Sequence, residues 1–226
     1  KCASISLELA LPSHYQVFQE LRVTTLHACQ AIHAMHSPES ESAYLAMEED
    51  RLEFLLLYFL HKDVQFISGH FPFFPKVEEA FRKSHSFITM LRDPVKRWMS
   101  HFKHYMQLRN DPALNWMAGD VLPPEQEFAR LLDSGRGRLW ARLYTAFFSG
   151  SKRDYASDQA LKAARDNMER FAVIGFLEDM EGFRKLFAER FSMQLDMPQV
   201  NKAGNRRNSP EDEVSRQLQA VLQDAG

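Results

Sequence analysis

Phe87-Ile88-Thr89-Met90-Leu91-Arg92-Asp93-Pro94-Val95-Lys96-Arg97-Trp98-Met99-Ser100-His101-Phe102 is the stretch that decides the fold. Its apolar opening, taken from Ser86 to Leu91, predicts a buried strand. Asp93 then stands where a helix N-cap belongs, and Pro94 occupies the first helical position. Aspartate at the cap and proline one residue on form a strong start signal. The helix so begun is expected to reach about Leu108. A strand running directly into a helix is the repeating unit of an α/β fold.

Working outward towards the N-terminus, Lys76 to Lys83 predicts a short helix. Val64 to Ser68 predicts a short strand ending at Gly69-His70. Glu48 to His61 is apolar on most of its surface and is expected to be a buried helix. Residues 37–43, rich in Ser, Glu and Pro, read as a loop. A helix is expected from Ser13 to His36 and another from Ser4 to Leu11, with Pro12 interrupting because proline removes a donor and clashes with the preceding turn.

Towards the C-terminus, residues 110–124 read as irregular, the best candidate for a substrate loop. Glu125 to Leu132 and Arg138 to Phe148 predict helices. Asp158 to Arg170 predicts an amphipathic helix with Leu161, Ala164 and Met168 on its apolar stripe. Phe171 to Gly175 reads as a second buried strand and Met180 to Phe191 as a helix. Ser209-Pro210-Glu211 begins a last helix carrying Val214, Leu218, Val221 and Leu222. Strands alternating with helices imply a single α/β domain over 1–226, with a central, mostly parallel sheet flanked by helices. No internal repeat and no second domain is visible.

Composition narrows the function. The net charge of −2 excludes nucleic-acid binding by bulk electrostatics, so an anion site must be a local cluster of cations. Two cysteines, Cys2 and Cys29, are too few for a disulfide scaffold. No Asn-x-Ser/Thr acceptor occurs, since Asn208-Ser209 runs into Pro210. These features favour a cytoplasmic chain, with the Golgi lumen as the alternative if an N-terminal anchor has been removed. The apolar run Phe54 to Leu60 is too short to cross a bilayer.

Several residues carry chemistry. Lys1-Cys2-Ala3-Ser4-Ile5-Ser6-Leu7 puts a cation ahead of small residues entering a helix, where backbone N–H groups and the helix dipole receive anions. Arg92 ends a strand, and Ser100 follows eight residues later, about two helical turns on. Arginine can grip a phosphate through two N–H donors, and serine adds a neutral one. In isolation Lys1 reads as a solvated lysine, and the alternative for Arg92 is pairing with Asp93 or another carboxylate at the strand end. His70, in Ile67-Ser68-Gly69-His70-Phe71-Pro72-Phe73, is a candidate general base, since a neutral imidazole accepts a proton near neutral pH. The plainer reading is a histidine satisfied by hydrogen bonds. Asp93, Pro94 and Arg97 read as structural, through capping and carboxylate pairing. Among nine histidines, His33 with His36 and His101 with His104 fall at helical spacing, but no zinc-ligand pattern occurs, so no metal is expected. His101 and His104 flank the Ser100 helix and are placed to line an acceptor cleft.

Lys1 to Leu7 and Phe87 to Phe102 together resemble the sulfotransferases that use 3'-phosphoadenosine 5'-phosphosulfate (PAPS), in particular the carbohydrate branch of the heparan sulfate 2-O-sulfotransferase type. Arg138-Leu139-Trp140-Ala141-Arg142-Leu143-Tyr144, followed by Phe148-Ser149-Gly150, is similar to the helix and Leu-Ser-Gly turn of that family. Asn167-Met168-Glu169-Arg170-Phe171-Ala172-Val173-Ile174-Gly175-Phe176-Leu177-Glu178 is similar to its late helix–strand junction. The resemblance spans Lys1 to about Phe191. It implies a P-loop-like nucleotide-binding fold with a further strand ahead of Lys1. It also implies metal-free in-line transfer of a sulfuryl group to a hydroxyl, mostly of carbohydrates. It assigns leaving-group stabilisation to Lys1, phosphate binding to the 1–7 backbone, the 3'-phosphate to Arg92 and Ser100, and the base to His70. Two positions depart from the pattern: Ile5 stands where the family has Thr or Ser, which shifts the hydroxyl contact to Ser4 and Ser6, and Arg138 stands where it has Asn. Asn201 to Asn208 forms a basic loop that is either a donor lid or an exposed linker. The competing readings are a nucleotide-binding module of the same fold without transfer, and a kinase or nucleotidase. The latter lacks its phosphate loop, because no Gly-Lys pair occurs.

Overall fold

The computed structural model describes residues 22–23, 41–109, 122–151 and 154–196. In chain order these form β1 (Arg22–Val23), α1 (Glu41–His61), β2 (Ser68–Gly69), α2 (Pro75–Phe81), β3 (Ile88–Leu91), α3 (Pro94–Arg109), α4 (Pro124–Asp133), α5 (Gly135–Ala141), α6 (Leu143–Phe148), α7 (Asp158–Met168), β4 (Val173–Phe176) and α8 (Met180–Phe191). The described residues up to Leu91 and from Arg142 onward gather into one compact unit, and those of 92–141 into another. Among the described residues, no helix is long and apolar enough to cross a membrane.

The first unit is α/β in its layering. β3 and β4 run parallel, pairing Ile88 with Val173, Thr89 with Ile174, Met90 with Gly175 and Leu91 with Phe176. Ala172 N–H to the Phe87 carbonyl and Leu177 N–H to the Leu91 carbonyl, both 2.8 Å, extend the ladder at its two ends. Strand side chains alternate between faces. Ile88, Met90 and Val173 accordingly meet Phe183 and Phe187 of α8 on one side. Leu91 and Ile174 meet Phe73, Phe148 and Ala164 on the other. Gly175 is required by the first of these contacts: a Cβ there would lie 2.4 Å from Phe183 Cδ2 and 2.8 Å from Met90 Sδ. α8 starts where Asp179 accepts the Gly182 N–H at 2.9 Å.

A second parallel pair joins β1 to β2, Arg22 with Ser68 and Val23 with Gly69. It puts Arg22 and Val23 in a strand where a helix was expected over Ser13 to His36, the rest of which lies outside the described residues. Val23 is β-branched, which favours an extended chain. The described strands thus form two parallel pairs.

Other expectations need adjustment. α1 begins at Glu41 rather than Glu48, so 41–43 of the expected loop are helical, and 37–40 lie outside the described residues. Between Pro38 and Gly69 the sequence contains no proline or glycine to stop a helix. Nor is α1 buried throughout: Glu48, Leu52, Leu56 and Leu60 are covered, whereas Phe54 is 68 % and Tyr58 50 % exposed. One stripe at four-residue spacing faces Phe74 and Val77 of the following segment. The helix expected from Arg138 to Phe148 is two helices, because Arg142 adopts φ −99°, ψ 20° and ends the first. The buried face of α7 is Ala160, Ala164 and Asn167, while Leu161 is exposed. Asn167 is tolerated there because its Nδ2 donates to the Phe148 carbonyl at 2.8 Å.

Candidate active site

Arg92 and Ser100 belong to the unit built from α3, α4 and α5. Asp93 caps α3 as expected: its Oδ1 accepts the Lys96 N–H at 2.8 Å, and its carbonyl accepts the Arg97 N–H at 2.8 Å. Pro94 opens the helix. The cap fixes where α3 starts, and therefore where Arg92, one residue ahead of it, leaves the strand. Ser100 is partly exposed, one turn beyond Lys96 on the same stripe. Arg97 is buried and donates to the Trp140 carbonyl.

The buried side of α3 packs into an aromatic cluster with α4 and α5. Trp98 stacks on Phe102 at 5.8 Å and meets Phe128 edge-on at 5.2 Å. Trp140 packs against Trp98, and His101 lies flat on the Trp140 ring, 4.3 Å between centroids. Below them, Tyr105 donates to Glu127 Oε1 at 2.8 Å, and Arg130 Nε donates to Glu127 Oε2 at 3.1 Å. The Glu127 hydrogen bond, with its negative charge, raises the Arg130 pKa above its usual value. Glu127 is fully covered, so its charge is held by these donors instead of water. The sequence reading missed this group. The signal was available: Glu127, Phe128 and Leu131 share one helical stripe, and a carboxylate among apolar neighbours must find partners.

His70 belongs to the other unit. It follows β2 directly and is exposed. The Phe71 ring lies close over the Gly69 backbone, since a Cβ on Gly69 would lie 2.5 Å from Phe71 Cε2. Pro72, Phe73 and Phe74 then plunge into the core. The Phe73 N–H donates to the Phe147 carbonyl at 2.6 Å. Arg170 places its guanidinium 5.3 Å from the centre of the Phe73 ring, donates to the Pro75 carbonyl at 3.1 Å and pairs with the buried Glu78. This ion pair was also absent from the sequence reading. Phe148-Ser149-Gly150 forms a turn in which Gly150 takes φ +90°, a conformation that favours glycine.

Lys1, Cys2, Ala3, Ser4, Ile5, Ser6 and Leu7 lie outside the described residues, as do the rest of the helix expected to Leu11, most of 110–124, the loop expected at 201–208 and the last helix expected from Ser209. His70 stands in one unit and Arg92 with Ser100 in the other. Among the described residues, no three His, Cys, Asp or Glu side chains converge as a metal site would require. No family model, curated protein or solved structure matches the chain.

Proposed function

We propose that the chain is a PAPS-dependent sulfotransferase acting on an acceptor hydroxyl, with a carbohydrate as the acceptor class that the resemblance implies. The finer fold goes with it: one domain in which the parallel pairs belong to a central sheet of the P-loop-like sulfotransferase type. The observation that supports this reading most is local. Arg92 stands between the last residue of β3 and the Asp93-capped start of α3, with Ser100 partly exposed two turns on. Strand end, arginine and helix N-terminus are the elements with which α/β proteins receive phosphates.

In the proposed reaction the acceptor oxygen attacks sulfur in line while its proton passes to the His70 imidazole. The bond from sulfur to the 5'-phosphate oxygen breaks, and Lys1 meets the negative charge left on that phosphate. The products are a sulfate ester and 3'-phosphoadenosine 5'-phosphate (PAP). Arg92 and Ser100 hold the 3'-phosphate, which separates this donor from ATP.

Calorimetric titration with PAP, beside ATP and 5'-AMP, tests the donor site. PAP is expected to bind far more tightly than either control. Arg92→Ala should cost roughly 1.5–3 kcal/mol of that affinity, the usual worth of hydrogen bonds to a charged group. His70→Ala should lower transfer and leave PAP affinity intact. Equal binding of the three nucleotides, or an unchanged affinity in Arg92→Ala, refutes the assignment.

A further inference from the structure

We propose, independently of the reaction above, that the outer face of α1 receives a second copy of this chain, paired antiparallel about a two-fold axis. α1 presents two opposed stripes. Leu52, Leu56 and Leu60 face inward onto Phe74 and Val77. Asp50, Phe54, Tyr58 and Lys62, at the same four-residue spacing, are exposed. Lys62 follows the last residue of α1 and keeps its helical turn, since its N–H donates to the Tyr58 carbonyl at 3.1 Å. Its ammonium stands 5.8 Å from the centre of the Tyr58 ring. Two exposed aromatic rings one turn apart, with Leu55 partly exposed beside them, form a patch and not a scatter of single apolar residues. Beside Phe54 lies a groove of about 380 Å³, lined among the described residues by Asp50, Arg51, Phe54 and Leu55.

The charges on the stripe select the partner and its direction. Positions 50 and 62 are centred on 56, and so are positions 54 and 58. Two copies crossing antiparallel at that point therefore set Asp50 against Lys62 and Phe54 against Tyr58, each contact made twice. Asp50 and Lys62 lie six residues from the crossing, about 9 Å along the helix, within reach of a long side chain. A parallel pair would oppose Asp50 to Asp50 and Lys62 to Lys62, which repel. A two-fold interface needs this self-complementarity, because the same patch serves both copies. Rows at four-residue spacing are also the ridges by which helices most commonly interlock. Arg51 comes opposite His61, whose ring is taken up edge-on by Phe81 at 5.1 Å. The groove faces Tyr58 and Lys62 of the second copy, so a ring and an ammonium meet walls that offer a ring and a carboxylate. A carboxylate accepts several donors, so the pairing with Lys62 adds to the contacts Asp50 makes within its own chain.

Sedimentation velocity over a hundredfold range of concentration is the test. The parent should pass from one copy to two as concentration rises. Phe54→Asp should weaken that association at least tenfold and leave the urea midpoint of the dilute protein in place, because the Phe54 ring stands mostly outside the core. Asp50→Lys and Lys62→Glu should each be monomeric alone, since both put like charges face to face. Mixed in equal amounts the two variants should pair with each other, because both charge contacts of the mixed pair are attractive again. An interface elsewhere on the chain produces no such exchange. A parent that stays monomeric at every concentration overturns the proposal, as does a dimer that Phe54→Asp leaves intact, or a mixture that fails to pair. Should either charge variant fail to fold, Asp50→Asn and Lys62→Gln take their place. Each should weaken the association, and the two together should weaken it no more than either alone; additive losses overturn the proposal.

Discussion

Replacing Tyr105 by Phe removes one hydroxyl from the interior of the α3–α4 unit and changes little else. The hydroxyl donates to Glu127 Oε1 at 2.8 Å. Its acceptor is a carboxylate with 0 % exposure, so water cannot take over the lost bond. A hydrogen bond to a charged group in such a place contributes about 1.5–3 kcal/mol, and a value near 2 kcal/mol is expected here. For a chain of this size that corresponds to a fall in Tm of about 4–8 °C. The Arg130 side chain is 52 % exposed, so solvent screens its attraction to Glu127 and the tyrosine is the cleaner probe. Urea unfolding of the parent, Tyr105→Phe, Glu127→Gln and the double variant would complete a thermodynamic cycle. The two substitutions should be coupled by at least about 0.5 kcal/mol, the usual floor for groups in direct contact. A Tyr105→Phe protein within about 0.5 kcal/mol of the parent, with no coupling, would refute the reasoning that this carboxylate depends on its buried donors.

Gly175→Ala should destabilise the β3–β4–α8 layer by about 1–3 kcal/mol, because the new methyl group meets Phe183 and Met90 at less than contact distance; the urea midpoint reads it. Asp93→Ala should cost about 1 kcal/mol by uncapping α3, whereas Asp93→Asn, an equally good cap, should be close to neutral in the same measurement. The Asp154 carboxylate accepts the Ser157 hydroxyl and the N–H groups of Ser157 and Ala156, which together lower its pKa. A lowered folded-state pKa means a contribution to stability that is complete above the unfolded value, about 3.9, and is lost as pH falls through the folded one. Carboxyl-carbon NMR should place the Asp154 midpoint below that of an unstructured aspartate, and Ser157→Ala should move it upward.

Elements whose signals are local were readable from the residues. Asp93-Pro94 announces α3, and the apolar run before it announces β3. Met180 to Phe191 was legible to the residue because Asp179 precedes it as a cap and its phenylalanines recur at helical spacing. What escaped depends on partners distant in sequence. Glu78 and Arg170 are an ordinary helix carboxylate and an ordinary turn arginine until the fold brings them together. Val23 joins a ladder only because Gly69 lies beside it. The run Phe54 to Leu60 misled because apolar residues all around a helix do not show which stripe is covered, and Phe54 and Tyr58 face outward. For the candidate site, the residue types and the strand–cap–helix frame around Arg92 were legible. The buried charges that hold the frame were not, since their meaning lies in burial.

The pairing of β3 with β4 also has a consequence for how the chain acquires its structure. Leu91 leaves the ribosome long before Val173, and everything from Arg92 to Ala172 is made in between. During that interval β3 has a bare edge and an apolar surface without its cover. Long-range parallel pairing is intrinsically slow, because the closure entropy of the intervening chain must be met before any contact forms. β4 and α8, by contrast, are adjacent in sequence and can associate as soon as both exist. The late segment is therefore expected to condense first, with Phe183 and Phe187 gathered on Val173, and to serve as the template onto which the older strand docks. Until it arrives, Ile88-Thr89-Met90-Leu91 is the segment most exposed to association with other chains, and a molecular chaperone would find its target there.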